Sequence, residues 1–168
     1  MASFEQHVTQ AKSNLKFLKQ VTDGSTFYDW QVTTCFYAAV HLVNAHIAKV
    51  SDAHYRSHEK TKLAINPHNS SAVQPFDADV HDDYVSLEKL SRRSRYLCNP
   101  EGDAAMDKIA SITKIKHVKK AMVQLNSVMT YFKDIHGIDF DAIEITCPNL
   151  KPEIPAALSY FKRAEAAV

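Results

Sequence analysis

The sequence predicts an all-α protein, an antiparallel bundle of four or five helices followed by an extended C-terminal arm and a short last helix. Apolar residues recur at steps of three and four through most of the chain, which is the period of a helix with one buried face. The three glycines, Gly24, Gly102 and Gly137, fall between those periodic stretches, and no internal repeat or low-complexity tract interrupts them. At 168 residues the chain can bury a sizeable core as one ordinary domain. We divide it at residue 136, with a helical bundle over 1–136 and an arm with a short helix over 137–168.

The elements follow in order. Ser3-Phe-Glu-Gln6 reads as a capping box, and Phe4, Val8, Ala11, Leu15 and Leu18 continue from it along one stripe, so the first helix runs to about Asp23-Gly24. Ser25 or Thr26 can cap a second helix from about Tyr28 to Val50, apolar nearly all round and therefore central. A short helical piece around Ser57 to Ile65 precedes a loop rich in Asn, Pro and Ser. The next helix extends from about Ala78 to Leu97 and stops at Asn99-Pro100-Glu101-Gly102. A long helix from about Ala104 to Lys133 carries Ile115, Val118, Met122, Leu125, Met129 and Phe132 on its apolar stripe. Beyond Gly137 the chain alternates weakly and holds three prolines, the pattern of an arm, and a last helix would turn Ile154, Leu158 and Phe161 inward.

Composition narrows the setting. Cys35, Cys98 and Cys147 are odd in number and widely spaced, unlike a secreted disulfide framework, and no stretch has the length of a membrane span, so the expected location is the cytoplasm. Twenty Lys and Arg against nineteen Asp and Glu leave a formal charge of +1, which excludes a broad electrostatic drive toward nucleic acid while permitting local patches. No phosphate loop, nucleophile elbow or paired catalytic carboxylate is present. Lys114, Lys116, Lys119 and Lys120 read as the solvated back of a helix.

The stretch CFYAAVHLVNAH, residues 35 to 46, sets two histidines and an asparagine in apolar surroundings. At ~100° per residue, Trp30, Thr34, Tyr37, His41, Asn44 and Ala48 share one narrow sector, while His46 points roughly 140° from His41. The two rings need separate roles, and His46 reads as an interfacial residue with one wet edge. On the following helix Val80, Tyr84, Leu87, Ser91, Ser94 and Arg95 align inward. A guanidinium at that border needs acceptors or an aromatic plane, which Tyr37 and His41 supply. The cluster either fixes helix register as a structural network or lines a pocket for an anionic, nucleotide-like ligand. His54 and His58 have the i, i+4 spacing of metal ligands, a weak signal in a chain with nine histidines, and we expect no metal and no cofactor.

DWQVTTCFYAAVHLVNAHIA, SHEKTKLAI and YVSLEKLSRRSRY together resemble the HEPN superfamily of small bacterial helical proteins. The resemblance covers roughly residues 5 to 135 and rests on Phe36-Tyr37-Ala38-Ala39, His41, Ser57-His58 and Arg92 to Tyr96. It implies a four- or five-helix bundle, a homodimer, and for some members a nucleotidyltransferase-like partner. It also implies either a metal-independent ribonuclease of toxin-antitoxin type or a non-catalytic binding module for nucleotide or RNA. The ribonuclease members carry an Arg followed after four to six residues by His, and none of Arg56, Arg92, Arg93, Arg95 and Arg163 has one. The expectation is thus a binding module with a pocket of Tyr37, His41, His58, Arg92, Arg95 and Tyr96. The alternatives are a ribonuclease using His41 or His58 as its acid-base group, and a metal-binding bundle.

Overall fold

The structure is a computed structural model that describes residues 2–23, 26–51, 55, 57–97 and 112–164. Most of these residues are helical. The first helix, α1, spans Phe4–Thr22, and its capping box forms as expected: Gln6 donates its backbone N–H to Ser3 Oγ, and Ser3 donates its own to Gln6 Oε1 at 2.8 Å. The second, α2 (Tyr28–Ser51), packs against α1 and lies at the centre of the fold. Phe36, Leu42 and Ile47 on it are fully buried, each contributing ~1.5–3 kcal/mol through apolar area removed from water.

A short helix, α3, occupies His58–Ile65. The loop behind it is pinned back onto α3, since Gln74 and Phe76 donate their N–H groups to Ala64 and Ile65 carbonyls, and Phe76 is buried. Helix α4 covers Ala78–Tyr96 with Tyr84, Leu87, Ser91 and Ser94 inward. Its C-cap, Leu97, adopts a left-handed conformation at φ 54°, and Leu97 N–H closes onto Arg93 O.

Helix α5 spans Ile115–His136 and packs on α2 and α4. Its stripe is the expected one, with Val118, Met122, Leu125, Met129 and Phe132 buried. Ile112 to Lys114 are not helical; Lys114 is extended, and its N–H is taken by the His117 imidazole at 2.9 Å, which starts the helix there. The expected cap at Ser25, the Asn99 to Gly102 stop and the helical start around Ala104 lie outside the described residues. Gly137 ends α5 in the left-handed region at φ 68°.

The arm is ordered against the bundle. Strand β1 (Ile143–Ile145) pairs in parallel with β2 (Phe161–Arg163), Ile143 opposite Phe161. No α-helix forms over Ile154 to Phe161, contrary to expectation. Pro152 and Pro155 remove backbone donors from that stretch. Only a single 3₁₀ turn, Lys151–Glu153, remains, while the Tyr160 carbonyl is drawn across to the Ile143 N–H at 2.8 Å. Ile154 and Phe161 nonetheless point into the core, as their apolar character requires.

Candidate functional site

The last turn of α4 meets the first half of α2 around one guanidinium. Arg95 Nε donates to the Ser91 carbonyl at 3.3 Å, and Nη1 donates to the Tyr37 hydroxyl at 3.4 Å. Its Cζ lies 5.8 Å from the Tyr37 ring centroid and 5.3 Å from that of Tyr96, both within cation–π range. Tyr96 is 66% exposed and Tyr37 37%, so the two rings and the cation face solvent together. Two of the five guanidinium N–H groups are used in this way. Among the described residues Arg95 joins no ion pair, so its charge is not matched by a carboxylate there.

Helix α3 brings His58 to the same seam, its ring 5.1 Å from that of Phe36, which in turn lies 5.8 Å from Tyr37. Burial lowers the His58 pKa; the Glu88 carboxylate opposes this, and the charges of Arg95 and Lys62 add to it. The imidazole is accordingly held neutral near pH 7, within the field of Arg95. Arg92 is exposed on α4, and among the described residues it makes no hydrogen bond, ion pair or ring contact.

The remaining expected member sits elsewhere. His41 is one turn beyond Tyr37 on α2 and turns toward α1, where its Nδ1 lies 3.1 Å from His7 Nδ1. The structure therefore brings together Tyr37, Arg95 and Tyr96, with His58 adjoining through Phe36. It sets His41 in a different seam. His46 does not have the wet edge expected of it. It is 1% exposed because α5 covers it, and its Nδ1 lies 2.9 Å from His136 Nε2.

Sequence reasoning missed Glu88, which is buried on the inward face of α4 and ion-paired with Lys62 of α3 at 3.2 Å. The carboxylates of Glu59 and Glu88 raise the Lys62 pKa in spite of the burial that works against it. A usable signal existed in the spacing, because residues 84, 88, 91 and 95 recur at four, three and four on one helical face. Tyr84 and Ser91 on that stripe are buried with hydroxyls that have no hydrogen-bond partner among the described residues. Burial, helped by the Glu88 carboxylate, raises the Tyr84 phenol far above its usual range.

As for metal, no three His, Cys, Asp or Glu side chains converge as ligands among the described residues, and His54 lies outside them. No helix among them is long and apolar enough to cross a membrane. Comparison with family models, curated proteins and solved structures gives no match to the chain.

Proposed function

We propose that the protein is an antiparallel, HEPN-like bundle acting as a non-catalytic binding module for a nucleotide or a single-stranded RNA segment, with Arg95 at its centre. The observation that carries this reading is the solvent-facing guanidinium set between the Tyr37 and Tyr96 rings and lacking a carboxylate partner among the described residues. A phosphate takes the free N–H groups of Arg95 as charge-assisted donors, and an unstacked base lies on the exposed Tyr96 ring. His58 supplies a further donor from α3, and the neighbouring Arg92 adds positive charge. In this reading the module is a homodimer, and a nucleotidyltransferase-like protein is the partner to seek.

Fluorescence anisotropy with a labelled single-stranded oligoribonucleotide tests it. Tyr96→Ala is expected to cost ~1–3 kcal/mol of binding, the usual worth of one stacked base. Arg95→Met should cost at least as much with unchanged helical content. Binding indifferent to both substitutions would remove the reading.

One observation favours a second reading, a ribonuclease. His58 is neutral near pH 7 and feels the Arg95 charge, which suits an imidazole accepting a proton beside a phosphate-binding cation. Cleavage of labelled RNA in the presence of a chelator, abolished by His58→Ala, would select the enzyme over the binding module.

A further inference from the structure

A second cationic site lies well apart in composition from the Arg95 cluster. Lys12, Lys16 and Lys19 stand on one side of α1, at spacings of four and three, and line a groove of about 330 Å³ against residues 139–143 of the arm. That volume is at the small end of ligand pockets. Its floor is apolar, formed by the buried side chains of Leu15 and Ile143.

The charge balance of this groove is uneven. Like charges at i, i+4 on a helix repel, and no carboxylate among the described residues forms an ion pair with any of the three lysines. Asp139, which also lines the groove, is already engaged. Its carboxylate accepts from Lys133 Nζ at 2.6 Å, from the Phe140 N–H at 2.9 Å and from the Tyr160 hydroxyl at 3.0 Å. Asp141 is the other carboxylate among the described lining residues, and its oxygens are acceptors for hydroxyl or amino groups on the body of a ligand. Lys12 is held in place, its ammonium 5.9 Å from the Phe140 ring centroid.

We infer that this groove between α1 and the arm binds a small phosphate-bearing molecule of mononucleotide size, with the phosphate on Lys12, Lys16 and Lys19 and the organic body over the apolar floor. The site is independent of the Arg95 reading, and the two stand or fall separately.

Isothermal titration of the full chain at low ionic strength, with AMP and with inorganic phosphate as probes, tests the inference. Binding of either probe is expected, with AMP the tighter if the floor contributes. The triple variant Lys12→Gln, Lys16→Gln, Lys19→Gln should weaken it by about tenfold or more through loss of the charge-assisted contacts. All three side chains are exposed, so the variant should keep its fold, which circular dichroism verifies. The lysine-dependent part of the binding, the part that the triple variant loses, should persist in Arg95→Met, whereas any binding lost in Arg95→Met alone belongs to the Arg95 site. The inference is overturned if neither probe binds at millimolar concentration, if the triple variant binds as well as the parent, or if Arg95→Met alone abolishes the signal.

Discussion

His46 and His136 meet at the buried seam between α2 and α5, with Nδ1 of the first 2.9 Å from Nε2 of the second and the rings inclined at 63°. One proton serves the pair. His46 Nε2 has no hydrogen-bond partner among the described residues. A bare lone pair is less costly to bury than a bare N–H, so the favoured arrangement has His46 donating from Nδ1 and His136 accepting. Together with His7 and His41, this makes two imidazole pairs, one on each flank of α2. The histidines of CFYAAVHLVNAH are accordingly each matched by a histidine from a neighbouring helix.

The pair makes stability depend on pH. Burial, with the His136 ring as a lesser cause, pushes the His46 pKa down to about 4 from an ordinary 6.5. Between those values the unfolded chain binds more protons than the folded one. The stabilisation is therefore complete above pH 6.5 and drains away as pH falls toward 4, by ~3 kcal/mol in total. His136 is shifted in the same direction by burial and by Lys49. Urea titrations at several pH values should show the parent losing this much more than His46→Leu across the window, and parallel losses in the two proteins would dismiss the account.

Cys35 offers a probe of rigidity. It is fully buried, and burial raises its thiol far above the usual range, so the thiolate that reacts with electrophiles is essentially unpopulated. A maleimide should fail to modify Cys35 in the native protein and succeed once denaturant is added, as peptide mapping by mass spectrometry would record. Ready modification under native conditions would mean that α2 opens far more often than its packing implies.

Leu97 ends α4 in the left-handed region with half its surface exposed. A β-carbon there costs roughly 1–2 kcal/mol that glycine avoids. The greater freedom of glycine in the unfolded chain and the lost packing return part of this. Leu97→Gly is expected to stabilise the protein by about 0.5–1 kcal/mol, seen as a higher urea midpoint at unchanged slope. A lower midpoint would show that the Leu97 side chain contributes more by packing than its backbone costs.

Periodicity reports which face of a helix is buried, and α1, α2 and the inward set of α4 from Tyr84 to Ser94 were legible for that reason. It carries no information about what meets that face. His136 is 90 residues from His46, and nothing local to His46 announces that α5 will cover it. The start of α5 at Ile115 is set locally by the His117 imidazole, which accepts the Lys114 N–H, whereas the missing last helix depends on Pro152 and Pro155 and on a remote partner, the Ile143 N–H that donates to the Tyr160 carbonyl. The contact of Tyr37 with Arg95 could be anticipated because Arg95 borders the inward face of α4 and Tyr37 lies in the polar sector of α2 that offers it an acceptor and a ring. The turn of His41 toward His7 could not, as His41 lies in the same sector as Tyr37 and differs only in which neighbour it reaches.

Glu88 supplies the most demanding test, because a buried carboxylate is tolerable only while its charge is balanced. Lys62 provides that balance from α3 at 3.2 Å, and also bridges to Glu59 at 3.0 Å on the exposed side. Lys62→Met removes the partner and leaves the carboxylate buried one turn from Tyr84, which should cost about 3 kcal/mol. Removing both charges, as Lys62→Met with Glu88→Gln, should cost clearly less than the two single changes added together. The shortfall is the coupling between the two residues. Chemical denaturation of the parent, the two single variants and the double variant at pH 7 yields it directly. Simple additivity would mean that Glu88 finds its compensation elsewhere, and the inward stripe of α4 would then need another explanation than its neighbour α3.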